Sequence, residues 1–539
     1  MANKFKSVGL VLALNLRRDW LKIVFWLLGL GGLMTAAAAK FDGLYSTQKA
    51  MASISETLST PAMVSMFGPF TPKPPYTVAV IYGAMMMVFM GLFSAMMNVY
   101  FAVHATRVEE DAGRTEFVLA HAVGRQSPLA AAILELAAIN LVAGVLEALG
   151  LQAANMTGGS AEGNWLFGLG LAVFGFMFGC FSLLIAQVAS SGRSATILSY
   201  VLLGGLYVVR MGTDVQDPDL TWWTIFGWIE KLDLYTKNTW WPLLLMLGLS
   251  AVVLVVAVAL SAARDTGAGL IQPRAGRARA SRFLAGPLTL LARLERTSTI
   301  IWLVSLFLLG ASYGSIFGTI GDLVKTNPAI GQLMGSGALH AAGRTMVLTF
   351  ANKLSIIFAV VATIPAVITL LKLNGDERGG YLELVHAKPV SRLRLYVSFL
   401  VHAVLAGSAA LVLGILGMAV AGSASLTTTP ISIARYLRAF VGYWPALLVT
   451  LGVVALVVAV LPRLQAWTWA IPIYGVMSLY LGNMIGLPEW ATKITPYGWV
   501  NHVPASAIDW GTFAWMNVLG LALMVAGYVG YKRRDLLAN

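Results

Sequence analysis

With 539 residues, 58% hydrophobic and 11% charged, and a mean hydropathy of +0.76, the chain is too apolar for a soluble globular protein of this length. Its net charge of +13 would suggest nucleic acid only if the basic residues were not accounted for by membrane loops. The single cysteine, Cys180, excludes an intrachain disulfide framework and any CxxC metal site.

The chain opens on KFKSVGLVLALNLRRDW, a basic amphipathic stretch. It predicts a helix at the cytoplasmic interface, apolar face in lipid and arginines among the headgroups; the plainer reading is that it leads into the next span. The first apolar run has no small-residue cleavage site and is expected to be retained. A hydrocarbon core takes about 20 apolar residues per helix. On that criterion six spans fall at residues 20–39, 77–103, 129–151, 165–189, 196–209 and 240–262, the fifth cut short by Arg210. A Gly- and Arg-rich linker follows and becomes amphipathic in SRFLAGPLTLLARLERT, which predicts a second interfacial helix. Six more spans fall at 300–320, 354–373, 396–421, 441–461, 467–485 and 512–531. The expected fold class is therefore all-α integral membrane, about twelve transmembrane helices in two parallel six-helix pseudo-repeats. Its parts are a first half over 1–263, a linker over 264–299 and a second half over 300–539.

With the N-terminus inside, 24 lysines and arginines fall on the cytoplasmic side and 11 outside. This places both termini in the cytoplasm and accounts for the basic charge without nucleic acid. The external loops before the sixth and twelfth spans, with their flanks, carry Trp222, Trp223, Trp228, Trp240, Trp241, Trp490, Trp499 and Trp510, as expected of aromatics at the outer interface.

One segment occurs twice. Residues 109–125 read EEDAGRTEFVLAHAVGR and residues 376–392 read DERGGYLELVHAKPVSR, aligned without a gap at an offset of 267. The offset pairs Glu109 with Asp376, Glu110 with Glu377, Gly113 with Gly380, Glu116 with Glu383 and Arg125 with Arg392. The second copy departs at Arg378, opposite Asp111, and at Tyr381, opposite Arg114. Acidic positions that recur between apolar spans predict two docking points for an aqueous partner; solvated or helix-capping carboxylates are the plain alternative. An Arg-Asp pair also recurs after the sixth and twelfth spans, as Arg264-Asp265 and Arg534-Asp535.

Polar groups inside spans are costly and so are candidates for function. Glu135, Asn140 and Glu147 fall in the third span and His402 in the ninth. The repeat offset carries Glu135 onto His402, a matched depth that would suit an ion pair or proton-handling pair, and Glu147 onto Gly414. The methionine run AMMMVFMGLFSAMM reads as adaptable packing or as a hydrophobic pathway. No GxxxxGK[ST], HExxH or GxSxG occurs, nor His and Cys at metal spacing, so neither catalytic nor metal residues are expected.

EEDAGRTE with its following VGR, RDTGAGL with PRAGRA after the sixth span, the external TWWTIFGW and WATKITPYGWV, and the terminal RRDL together resemble the fused two-half permeases of type-2 ABC transporters. Within these, they resemble the group described as exporters of polyketide antibiotics and other drugs. The resemblance implies a coupling helix over 109–116 and another over 376–383. ATPase coupling would then fall to Glu109, Glu110, Gly113, Arg114, Glu116, Arg125, Glu377, Gly380, Glu383 and Arg392. It implies two copies of a separate ATPase subunit carrying ATP and Mg, no cofactor in this chain, and a location in the bacterial cell membrane. The expected function is the permease of an ATP-driven exporter of hydrophobic or amphipathic compounds. The competing readings are an ion- or proton-coupled secondary transporter and a non-transporting sensor or scaffold.

Overall fold

A computed structural model of the protein describes residues 4–271, 279–319, 344–426, 431–480 and 487–535. Every regular element among them is helical, and eleven helices are long and apolar enough to cross a membrane. The chain separates into two compact units, Met1–Gly276 and Arg277–Asn539.

The first unit holds α1 (Val8–Leu44), α2 (Val78–Asp111), α3 (Ser127–Ala154), α4 (Ala161–Val188), α5 (Gly192–Gln216) and α6 (Trp241–Ala263). In their most apolar windows α2 and α4 are 67% buried against 17%, 22% and 28% for α1, α5 and α6. The middle pair is therefore lined by protein, and the outer three present apolar side chains outward, as a lipid-facing helix must. The second unit holds α7 (Pro287–Ser315), α8 (Arg344–Arg378), α9 (Arg392–Ser425), α10 (Ile433–Val460) and α11 (Trp510–Arg533). The same order of burial recurs there, with α8 and α10 at 72% and α7 and α11 at 22%. Lipid is as apolar as leucine, so such helices associate by close packing over small residues. On the α7–α9 contact a Cβ at Gly310 would stand 2.0 Å from the Gly414 carbonyl oxygen.

Three sequence expectations are corrected. The two stretches read as separate interfacial helices are the opening turns of α1 and α7, each continuous with the span that follows. In α1 no proline interrupts residues 8–44, and Asn15 and Asp19 are buried against neighbouring helices. Arg210 does not cut the fifth span short: α5 runs on to Gln216 with Arg210 wholly buried. That burial is tolerated because Glu230, Asp214 and the carbonyls of Ser65 and Met66 surround its guanidinium. The span expected at 467–485 opens on a 3-10 turn, Pro462–Trp469, and its α-helix starts at Ala470 and is described as far as Tyr480. Pro472 falls in the first turn of that helix, where its missing N–H has no intrahelical partner to lose. The rest of that span, with most of the external loop after the seventh span, lies outside the described residues, as does 272–278 of the linker.

Candidate functional site

Each repeated segment forms a helix, a glycine turn and a second short helix. The expectation of one continuous coupling helix over 109–116 and over 376–383 is corrected here. α2 ends at Asp111, the chain turns at Gly113 (φ 70°), and Arg114–Leu119 starts afresh. In the second unit α8 ends at Arg378, the turn is at Gly380 (φ 71°), and Tyr381–His386 follows. A helix cannot pass through a left-handed residue, and only glycine adopts that conformation without a Cβ penalty. Nothing lies within 4 Å of where a Cβ would be at either glycine, so backbone conformation rather than space demands it.

The short helices bury one anchor each, Thr115 and Leu382, and turn the following two residues outward. Glu116 and Glu383 are exposed and form no ion pair among the described residues. Beside them Phe117 is 71% and Leu384 75% exposed, an apolar knob and a carboxylate at matched positions of both units. Large apolar side chains held in water on a turn that is otherwise charged form a surface suited to a protein partner. The fourth residue of the set differs: Arg114 in one unit, Tyr381 in the other, both exposed.

The remaining acids serve inside the protein. Glu110 receives two bonds from Arg264, Nη2 to Oε1 at 2.5 Å and Nη1 to Oε2 at 2.9 Å, and a third from Arg107 at 2.8 Å. Arg264 Nε donates to Gln187 Oε1, and Arg107 Nη2 donates to the carbonyls of Ser190 and Gly267. Glu377 is held in the same way, by Arg534 Nη2 at 2.6 Å and the Tyr531 hydroxyl at 2.9 Å. Arg534 also donates to Asn374 Oδ1, and Asn374 occupies the position that Arg107 has in the first copy. The last arginine of each segment completes the clamp. Arg125 Nη2 donates to the Arg264 carbonyl and Arg392 Nη1 to the Arg534 carbonyl. In each unit, then, the charged turn is bolted to the end of that unit's last helix by a carboxylate–guanidinium pair, and charged pairs of this kind are strong where solvent is excluded.

Glu109 is bound by Arg114 Nε at 2.7 Å and by Arg18 Nη1 at 2.9 Å, which ties the first turn to α1 as well. Asp376, its counterpart, takes Lys372 at 3.4 Å, and Lys372 lies 3.5 Å from Glu295 on α7. A π-helical turn, His104–Val108, precedes the first glycine turn; α8 is α-helical throughout, with Pro365 inside it.

Of the intramembrane candidates, Asn140 is satisfied. It exchanges hydrogen bonds with Asn98 of α2 and bonds the Leu136 carbonyl. Glu135 is fully buried, accepting from Asn15 Nδ2 of α1 at 3.0 Å. Glu147 is 3% exposed and its Oε2 accepts no hydrogen bond. His402 is buried in α9 with Nε2 unpaired.

Sequence reading missed the partners: Arg264 and Arg534 for the clamps, and Asn15, Arg18 and Asp19 for the tie to α1. The recurring Arg-Asp pair was the signal for the first two. The last three had helical spacing, 15, 18 and 19, which marks one face of α1.

Comparison with known proteins bears on the chain as a whole. It matches the family described as "Multidrug efflux system permease Rv1217c, C-terminal domain" over residues 9–260 and 284–532. It is similar to the multidrug efflux system permease protein Rv1217c of Mycobacterium tuberculosis (strain ATCC 25618 / H37Rv), 30% identical over 545 residues, which cover 98% of this chain and 95% of that protein.

Proposed function

Because the chain belongs to the multidrug efflux system permease family, we propose that it is the membrane subunit of a split ATP-driven exporter of type-2 ABC architecture. Two copies of a separate ATPase, carrying ATP and Mg, dock on the turns at Gly113 and Gly380. The observation that carries this reading is the doubled surface of exposed carboxylate and apolar knob, Glu116 with Phe117 and Glu383 with Leu384. Two matched turns suit two copies of one partner, and an exposed apolar side chain beside an unpaired acid suits a groove that is apolar within and basic at its rim.

The clamps supply a path for work. A push on either turn reaches the last helix of the same unit through Glu110–Arg264 or Glu377–Arg534, because a clamped guanidinium cannot move apart from its carboxylate without leaving buried charge unpaired. Both termini are taken as cytoplasmic, the two halves as a fused pair, and the cargo as hydrophobic or amphipathic compounds leaving a bacterial cell. Chemistry is left to the partner, so the chain is a transport subunit rather than an enzyme.

The testing experiment is ATP hydrolysis by the detergent-purified chain, alone and co-expressed with a candidate ATPase from the same cell, with a panel of hydrophobic drugs. Activity confined to the complex and altered by some compounds is the expected result. A second reading, proton-coupled transport by the chain alone, is favoured by Glu147, a buried carboxylate with an unpaired oxygen. Substrate movement down an ion gradient with no ATPase present would establish it in place of the first.

A further inference from the structure

The first helices of the two units, α1 and α7, share one register at an offset of 276. Asn15, Leu30, Met34 and Phe41 are buried in the first unit, and Leu291, Leu306, Gly310 and Phe317 are buried at the matching positions of the second. The opposite face is shared as well. Leu14, Phe25 and Leu28 stand exposed on α1, as do Leu290, Ile301 and Val304 on α7. These positions lie three before, eight after and eleven after Arg17 in α1 and Arg293 in α7, so each arginine sits in line with them on one helix face.

Arg17 and Arg18 are neighbours with different tasks. Arg18 turns inward to Asp19 and Glu109, while Arg17 is exposed and forms no ion pair among the described residues. Arg293 is likewise exposed and unpaired among them, although Glu295 nearby faces Lys372. Acids are missing from both openings: residues 4–18 hold four basic side chains and residues 279–294 three, with no Asp or Glu in either stretch.

Arg17 precedes Lys40 by 23 residues, roughly 34 Å of helix at 1.5 Å per residue, against a hydrocarbon core of about 30 Å. Its guanidinium therefore comes level with the headgroups, and the exposed Phe25 and Leu28 beyond it face acyl chains. A soluble partner could meet the arginine but not the apolar stripe that continues from it. A planar guanidinium takes two phosphate oxygens at once, and a zwitterionic headgroup brings its own cation to the same place. We infer that the opening turns of α1 and α7 each hold an acidic phospholipid, its phosphate on Arg17 or Arg293 and its acyl chains along the exposed stripe. Basic charge spread over loops would draw acidic lipid to the whole rim, whereas two arginines set in matched stripes localise it. The inference does not rest on the transport reading, because lipid binding needs no partner subunit.

The test supplies the detergent-purified full chain with equal amounts of dioleoylphosphatidylglycerol and dioleoylphosphatidylcholine and counts the retained lipids by native mass spectrometry. The acyl chains are the same, so only the headgroups compete. Phosphatidylglycerol is expected to be retained about fivefold or more over phosphatidylcholine, the effect of one basic side chain at a lipid surface. In the double variant Arg17→Gln with Arg293→Gln the preference is expected to fall to near parity, with the thermal midpoint of the lipid-free chain unchanged. Equal retention of the two lipids by wild type, or an undiminished preference in the double variant, overturns the inference. Excess sodium phosphate that strips phosphatidylglycerol where sodium chloride of equal ionic strength does not assigns the arginines to a free anion, and overturns it too. Should the double variant fail to purify as a monodisperse species, phosphatidylglycerol with a photoreactive acyl chain decides the matter on wild type. Crosslinks are expected within residues 14–28 and 290–304, and crosslinks confined to other segments overturn the inference.

Discussion

Glu110 and Arg264 are 154 positions apart in the chain and 2.5 Å apart in the fold, and Glu377 and Arg534, 157 apart, make the same contact at 2.6 Å. A wholly uncompensated buried charge costs about 3–5 kcal/mol; removing Arg264 leaves Glu110 to Arg107 alone, and removing Glu110 leaves Arg264 with Gln187 and backbone carbonyls, so each loss should fall below that range. Arg264→Ala and Glu110→Ala should each lower the denaturant midpoint of the detergent-solubilised chain. The double variant should cost clearly less than the sum, with an interaction energy of about 1 kcal/mol or more in a double-mutant cycle. Additive losses would mean that the pair contributes geometry but no coupling.

The exposed faces of the turns should respond in the opposite way. Glu116→Lys with Glu383→Lys, or Phe117→Asp with Leu384→Asp, is expected to leave expression and unfolding unchanged and to weaken ATPase co-purification by about tenfold or more, the loss typical of an interface hot spot. Pull-down of the tagged partner measures it. Undiminished recovery from both double variants would remove these turns as the docking surface.

At Gly113 and Gly380 the conformation alone is at stake, since a Cβ meets nothing. Gly113→Ala should cost about 1–2 kcal/mol, and Gly113→Asn less, because asparagine visits the left-handed region more readily. Faster proteolytic nicking between Asp111 and Thr115 in the alanine variant is the readout, with the asparagine variant between it and wild type.

Glu230 predicts a pH dependence of stability. Its folded carboxyl titrates at about 8 and its unfolded one near 4.5, so the folded state holds the extra proton between those values. The stabilisation is complete below about pH 4.5 and is lost as pH rises through about 8. The thermal midpoint of the wild type should therefore fall between pH 6 and pH 9 more steeply than that of Glu230→Gln, whose side chain stays neutral throughout. Parallel slopes would exclude Glu230 as the titrating group.

Glu147→Gln should change which compounds stimulate hydrolysis in the assembled complex while leaving assembly intact, because the buried Glu147 carboxylate keeps one oxygen without a hydrogen bond. Asn140→Leu should instead perturb folding, since it strands the Asn98 side chain that it bonds. An unaltered substrate profile for Glu147→Gln would place that residue outside the pathway.

Most of the membrane-crossing runs, the recurring acidic segment and the glycine within it were legible in the sequence because each is a local property: an apolar run of sufficient length, or a residue type at a fixed position. Sequence reading also grouped all the acids of each segment as one docking surface, and here it stopped short. Whether a carboxylate faces water or a guanidinium depends on what the end of a distant helix brings beside it, and no local pattern encodes a contact across 154 residues. The Arg-Asp repeat marked Arg264 and Arg534 as recurring without saying what they touch. Arg210 reads as a span-breaker by hydropathy, yet it lies buried in α5 because Glu230 and Asp214 meet it there. Apolar runs and an internal repeat, both readable along the chain, determined that it crosses a membrane and carries its charged segment twice, since hydrophobic burial and backbone satisfaction act on each segment by itself. Only the tertiary structure decided which acids are bolts and which are exposed, because the cost of a buried charge is settled by the partner that arrives beside it.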